Sequence, residues 1–200
     1  MMTVALDYAA RGLAVFPLRG KMPAILKDDG GHGHRDATTD PARIRSWWKN
    51  YLRANIGIAT RASGLLVLDV DPRHGGDKRL AGLEAEYGRL PHTSEVRSGG
   101  QGRHIYFKAP DDDNLPRRSN ALGAGLDLPN YVVAPPSIHP DTHRSYIWAE
   151  LSHPDDMAIA EIPAWLLTLL TCKPRPQRTR PLEQPPVGWV WFTRPLLAAS

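Results

Sequence analysis

The stretch from Leu65 to Pro72, which reads Leu-Leu-Val-Leu-Asp-Val-Asp-Pro, constrains the fold more than any other. A short apolar run rich in Val and Leu, stopped by proline, is typical of a strand buried on both faces. Because strand side chains alternate between faces, we predict Asp69 and Asp71 on the same side, with Cα atoms about 6.6 Å apart. Such a pair either shares a cation or a basic group, or caps the turn that ends the strand.

The length of 200 residues suits one domain with an appendage. Residues 173–200 hold five basic side chains and one acidic one, which accounts for the whole formal net charge of +4. The remaining residues, 1–172, are formally neutral, so overall basicity says little about polyanion binding there. The same end segment contains six of the 19 prolines. We therefore predict a folded domain over 1–172 and a proline-rich basic linker or tail over 173–200.

The cellular setting follows from what the sequence lacks. Cys172 is the sole cysteine, which excludes an internal disulfide and a cysteine-based zinc site and fits a reducing compartment. No apolar run approaches the ~20 residues that cross a bilayer, and the first residues lack the layout of a signal peptide. We expect a cytoplasmic protein with no membrane partner.

Three helix starts are predicted from capping residues, at Thr3, Asp40 and Asp77. The clearest is Asp40, which is followed by proline at the first helical position. That helix carries Trp47 and Trp48, which could stack on nucleic-acid bases. Aromatic residues at helical spacing are more often core, and we predict that role for both.

A glycine-rich stretch follows the next predicted helix and reads Ser98-Gly99-Gly100-Gln101-Gly102-Arg103-His104. Its amide groups can turn towards an anion without interference from side chains, although glycine is also common in hairpin turns. A histidine at the exit of this loop, beside an arginine, favours contact with phosphate. Lys21, at the exit of an earlier strand predicted over 13–18, could also reach a phosphate, but a solvated lysine is the commoner case.

One further acidic residue stands out. Asp127 lies between two leucines on a short predicted strand, where it is a lone carboxylate in apolar surroundings. Another strand is predicted from Tyr131 to Ala134, followed by Pro135-Pro136-Ser137. A last amphipathic helix is predicted over 162–170.

Together and in this order, Asp69-Val-Asp71, the 98–104 stretch and Leu126-Asp127-Leu128 resemble the motifs of the bifunctional DNA primase/polymerase domain of the archaeo-eukaryotic primase superfamily. That family has an Asp-x-Asp motif, a Ser-or-Thr-x-His type motif and a later single Asp. The resemblance extends over residues 5 to about 170. The chain departs from the family after Asp127, where Leu128-Pro129-Asn130 replaces a basic residue and a glycine-rich turn.

The resemblance implies an α+β fold. The expected architecture is an RRM-like catalytic sheet with helices packed on it and an N-terminal α/β portion that completes the cleft. It also implies attack of a 3′-hydroxyl on the α-phosphate of a nucleoside triphosphate. Asp69, Asp71 and Asp127 are then expected to bind two divalent cations, Mg²⁺ or Mn²⁺, both of which prefer hard oxygen ligands.

The same resemblance assigns the nucleotide contacts. His104 would touch the triphosphate, beside the Ser98 hydroxyl and the amides of Gly99, Gly100 and Gly102, and two further candidates are Lys21 and Arg103. The implied partners are an NTP or dNTP, a single-stranded DNA template with its primer, and a replicative helicase domain or protein. If the chain is phage- or plasmid-encoded, its location is the host cytoplasm.

Two other functions remain open at this point. Carboxylate clusters also hydrolyse phosphodiesters, so a metal-dependent phosphoesterase or nuclease is one alternative. The missing basic turn after Asp127 leaves room for a non-catalytic replication module that binds nucleic acid through the same cleft.

Overall fold

The computed structural model describes residues 1–111 and 114–171. Cys172 and the predicted tail, 173–200, lie outside the described residues. Within the described part of the chain, the helices are α1 (Met2–Ala10), α2 (Pro41–Asn50), α3 (Gly76–Tyr87) and α4 (Ala164–Thr171). None of these helices combines the length and apolarity needed to cross a membrane.

The strands form two sheets. The first has the order β2-β1-β3-β8, with β1 at Val15–Arg19, β2 at Met22–Pro23, β3 at Asn55–Ala59 and β8 at Tyr131–Ala134. The second has the order β7-β4-β6-β5-β9, with β4 at Leu65–Val70, β5 at Glu95–Arg97, β6 at Arg103–Lys108, β7 at Leu126–Asp127 and β9 at Ile147–Trp148. A short strand β10 (Ala160–Glu161) pairs with β6 in parallel, whereas the other pairs are antiparallel. The predicted α+β class is confirmed.

The two faces of the second sheet have different partners. Leu66 and Leu68 of β4 belong to an apolar cluster that includes Leu80 of α3 and Leu166 of α4. Val67, on the other face, belongs to the cluster built with the first sheet and with α1 and α2. Because strand side chains alternate, Asp69 continues the row of Val67 and faces the first sheet. A cleft between the two sheets therefore begins where the apolar row ends.

Of the three predicted helix caps, one is confirmed and two are wrong. Asp40 caps α2 as expected, because its Oδ1 accepts the amide of Ala42 at 2.9 Å. The other two caps are wrong: Thr3 lies inside α1, and α3 begins at Gly76 rather than after Asp77. A side chain at Gly76 would overlap the backbone carbonyl of Gly125, so contact with the approach to β7 fixes this helix start.

The tryptophans of α2 are core residues, as predicted. Trp47 is 8% exposed and Trp48 is 2% exposed, both in the cluster shared with the first sheet. Arg43 lies over the Trp47 ring, 4.8 Å from its centre, which covers the outer side of the indole. Neither indole is therefore available as a stacking platform.

Candidate active site

Three of the predicted site residues lie in one row across the second sheet. Asp69 of β4 stands directly opposite Asp127 of β7 on one side and His104 of β6 on the other. Directly opposed residues of antiparallel strands project to the same face. The register therefore places two carboxylates and one imidazole side by side on the face that looks towards the first sheet.

A cavity of about 330 Å³ opens at this point between the two sheets. Most of the predicted site residues line it, namely Lys21, Asp69, Asp71, Ser98, Gly100, Gly102 and His104. The others in its wall are Arg73, Pro129, Asn130, Tyr131, Val132, Val133, His139 and Tyr146. Residues more than a hundred positions apart in the chain thus meet in one pocket.

Asp69 carries a negative charge that its surroundings do not fully offset. Burial, and then the carboxylates of Asp127 and Asp71, raise the pKa of Asp69 to about 6, against the smaller opposing effect of Lys21 and Arg73. Like charges at this spacing favour protonation or the arrival of a cation. This end of the cavity is therefore suited to a positively charged ligand.

The Asp71 carboxylate is already engaged. It accepts the amide of Arg73 at 2.9 Å, the Nε and Nη2 of the same arginine at 3.1 and 3.0 Å, and it contacts Nδ1 of His74 at 2.8 Å. The hydrogen bonds from Arg73, with that from His74, lower the pKa of Asp71 to about 2. The side chains of Arg73 and His74 are 61% and 70% exposed, so both have room to swing away.

Asp127 flanks the cavity without lining it. Its Oδ1 accepts the backbone amide of Asn120 at 2.6 Å. Among the described residues, no group of three or more His, Cys, Asp or Glu side chains forms a ready metal site. The donor chemistry still fits a hard cation, because the oxygens of Asp69 and Asp127 are neighbours and repel each other.

His104 is a buried, neutral imidazole. It is 6% exposed, and burial, with a smaller effect of the Lys21 charge, lowers the pKa of His104 to about 4. Its Nε2 lies 3.8 Å from Oδ1 of Asp69, while its Nδ1 is enclosed without a partner in the described part of the chain. A neutral ring beside a carboxylate can offer an N–H to a phosphate oxygen without adding charge.

The glycine-rich loop is closed by its own first residue. The Ser98 amide donates to the carbonyl of Gly102 at 2.8 Å, and the Gly102 amide donates to Oγ of Ser98 at 2.9 Å. The amide of Gly102 is therefore occupied and does not point to a ligand as predicted. Within residues 1–111 and 114–171, the amides of Gly99 and Gly100 donate to no protein acceptor.

Arg103 lies away from the cavity. It stands opposite Val70, on the face turned towards α3 and α4, and its guanidinium pairs with Glu95 at 2.8 and 2.7 Å. This predicted phosphate contact does not fit the geometry, because the period of the strand sends Arg103 and His104 to opposite faces. Lys21 and Arg73 instead supply the positive charge of the cavity.

The cavity residues that the sequence motifs did not indicate include Arg73, His139 and Tyr146. The two aromatic rings stack with centroids 6.0 Å apart, and Tyr146 also contacts His104 at 5.8 Å. No local signal distinguishes these residues from an ordinary polar turn and edge strand. The one usable clue was a basic residue, Arg73, two positions after the end of the Asp-x-Asp motif.

Asn55 links two segments that lead to cavity residues. Its Nδ2 donates to the carbonyls of Gly20 at 2.9 Å and Ile138 at 2.7 Å, and its Oδ1 accepts the amide of Ile138 at 3.0 Å. The side chain thus links the turn before Lys21 to the segment before His139. This residue, 6% exposed, has a structural role that its strand position alone did not indicate.

The comparison with protein families agrees with the arrangement of the motifs. The family model described as bifunctional DNA primase/polymerase, N-terminal, matches residues 5–165. No curated protein shows significant similarity to the chain. The match covers both sheets and every residue of the cavity. The chain therefore belongs to the family of bifunctional DNA primase/polymerase N-terminal domains.

Proposed function

We propose that this chain is a metal-dependent nucleotidyltransferase that makes or extends primers on a DNA template during replication. The observation that carries the proposal is the row Asp127, Asp69 and His104 beside one cavity, with the pKa of Asp69 raised by burial and then by its acidic neighbours. Family membership supports a primase/polymerase role for such a site.

In this proposal Asp69, Asp71 and Asp127 hold two divalent cations, Mg²⁺ or Mn²⁺. When bound, such ions activate the attacking 3′-hydroxyl and neutralise the leaving pyrophosphate. Asp71 becomes a ligand when Arg73 and His74 release its carboxylate, which their exposure permits. Asp69 contributes an ionised carboxylate at pH values above about 6, its pKa in the free protein.

The remaining residues bind and orient the triphosphate. Lys21 and Arg73 offset phosphate charge, and the amide of Gly100, which donates to no acceptor in the described part of the chain, offers an uncharged donor in the cavity wall. The neutral His104 donates a hydrogen bond without adding a charge that would repel Lys21. Single-stranded template and primer, an NTP or dNTP, and a replicative helicase are the proposed partners.

The decisive experiment is a primer-synthesis and primer-extension assay with Mg²⁺ or Mn²⁺, comparing NTPs with dNTPs. We expect labelled nucleotide to be incorporated by the wild type and by Asp28→Ala, an exposed acidic control, and not by Asp69→Ala. Failure of the wild type to incorporate either class of nucleotide would contradict the proposal. Shortening of the labelled strand instead would identify the nuclease alternative.

The pairing of Asp71 with Arg73 and His74 favours one rival, a module that binds nucleic acid without catalysis. That rival predicts template binding that survives replacement of all three aspartates, with no incorporation by the wild type. The polymerase proposal predicts the opposite result in the incorporation assay.

A further inference from the structure

His139 is the most buried titratable side chain of the cavity, and it belongs to none of the three motifs. It is 1% exposed, and its Nδ1 accepts the backbone amides of Asp141 at 3.2 Å and Thr142 at 3.4 Å. A ring nitrogen that accepts hydrogen bonds carries no proton, so the proton of the neutral ring is on Nε2. The turn that follows His139 thus fixes both its tautomer and its orientation.

The Nε2–H of His139 is directed to the cavity side of the glycine-rich loop. A Cβ atom added to Gly100 would lie 3.0 Å from this nitrogen, so the absence of a side chain there keeps its approach open. Within the described part of the chain Nε2 has no acceptor, and His139 lines the cavity. An N–H on the cavity wall that the protein leaves without an acceptor is available to an oxygen of a ligand or of water.

The charges around this donor select the kind of ligand. Burial and the charge of Lys21, with a smaller effect of Arg73, lower the pKa of His139, and Asp141 opposes them only in part. The ring therefore stays neutral beside two cations of the same cavity. The free amides of Gly99 and Gly100 lie on the same loop. Neutral donors beside flexible cations suit the oxygens of a phosphate chain.

We propose that His139 is a nucleotide-binding residue whose Nε2–H donates to the phosphate chain of the incoming nucleotide. This inference rests on the proposed nucleotide-binding function of the cavity. It assigns the turn over residues 139–144 to the site, as a support that holds one donor in place. Thr142 Oγ1 donates to the carbonyl of Gly99 at 2.9 Å, which joins the turn to the glycine-rich loop.

The test uses two substitutions, one that removes the donor at Nε2 and one that removes the acceptor at Nδ1. In His139→Asn the amide oxygen replaces Nδ1 and keeps the turn, but the donor at Nε2 is lost. In His139→Gln the amide nitrogen replaces Nε2, whereas the acceptor for the turn is lost. His143→Asn is the matched control, because His143 is exposed on the same turn and its φ of 56° is tolerated by asparagine.

Binding is measured by calorimetry in Mg²⁺, without template, for dATP and for inorganic triphosphate. We expect His139→Asn to weaken both ligands by the same factor, about tenfold or more, with an unchanged melting temperature. His139→Gln should bind nearly as the wild type does but melt at a lower temperature, and His143→Asn should match the wild type in both measurements.

The inference is overturned if His139→Asn binds both ligands normally, or if only dATP is weakened, which would place His139 against the sugar or base. Because no template is present, the outcome is independent of polymerisation. A chain that binds triphosphate through His139 but incorporates no nucleotide would leave this inference standing and contradict the proposed function alone.

Discussion

Asp69 and Asp127 face each other directly on the antiparallel strands β4 and β7. Such opposed like charges destabilise a sheet. Burial adds to the repulsion, and the pKa of Asp69 is raised to about 6. Ionisation of Asp69 therefore costs free energy in the folded protein that it does not cost in the unfolded chain.

The first prediction concerns stability against pH in metal-free protein. The pKa of Asp69 in the folded protein, about 6, lies above its ordinary value of 3.8. The free energy of unfolding therefore falls as the pH rises from 3.8 to about 6, and the loss is complete above that range. Asp69→Asn should raise the free energy of unfolding at pH 8 by about 1–2 kcal/mol, a figure reduced for partial exposure of the side chain. The gain should vanish near pH 4.

Denaturant unfolding with a chelator present checks this prediction at both pH values. Addition of Mg²⁺ at pH 8 should stabilise the wild type and leave Asp69→Asn unchanged. A variant that is less stable than the wild type at pH 8 would show that the Asp69 carboxylate is well compensated in the folded state.

The second prediction concerns the arginine that holds Asp71. Arg73 competes with any cation for this carboxylate, so Arg73→Gln should bind Mn²⁺ more tightly in the absence of nucleotide, by about two- to fivefold. The same variant should bind dATP more weakly, because a cation of the cavity is lost. Calorimetric titrations with Mn²⁺ and with dATP measure both effects. Arg89→Gln, an exposed arginine outside this cavity, should change neither, and a loss of Mn²⁺ affinity in Arg73→Gln would refute the competition.

The third prediction concerns Asn55. Asn55→Ala removes three hydrogen bonds and leaves backbone groups of Gly20 and Ile138 unpaired, so we expect a loss of about 2–4 kcal/mol in the free energy of unfolding. Affinity for dATP should fall as well, because the turn before Lys21 and the segment before His139 lose their common anchor. Unfolding curves and calorimetry provide the two readouts. Asn50→Ala, at an exposed helix end, is the control and should stay within about 0.5 kcal/mol of the wild type.

The fourth prediction compares two glycines. A Cβ on Gly99 would lie 2.5 Å from the carbonyl oxygen of Arg144 and 2.6 Å from Cβ of His139, whereas one on Gly82 would meet nothing within 4 Å. Gly99→Ala should therefore displace the loop from the turn and weaken binding of inorganic triphosphate. Gly82→Ala, in the interior of α3, should raise stability by about 0.5–1 kcal/mol. Equal effects of the two substitutions on triphosphate binding would argue against close packing at Gly99.

The family resemblance predicted the α+β class, and local sequence signals predicted most of the regular elements. The apolar run ending in Asp69, the Asp40-Pro41 helix start and the buried face of α2 follow from alternation, capping and periodicity, which act within a few residues. The family could also be predicted from the sequence, because the three motifs occur in the order typical of the family. The family model confirms that prediction.

Local signals gave wrong predictions where a contact between distant segments of the chain determines the structure. Asp77 looks like a helix cap, but the backbone contact between Gly76 and Gly125 starts α3 two residues earlier than that cap predicts. Arg103 was expected at the phosphate because it adjoins His104 in the chain. On a strand, adjacent residues project to opposite faces, and Arg103 pairs with Glu95 instead.

The sequence by itself determined that a buried strand ends in two carboxylates and that a glycine-rich loop with a histidine at its exit follows it. Only the tertiary structure decided that Asp127 stands beside Asp69, that Arg73 holds Asp71, and that His139 enters the cavity. The reason is physical: alternation and capping depend on near neighbours in the chain. Strand register and the packing of one turn against another depend on contacts between segments far apart in sequence.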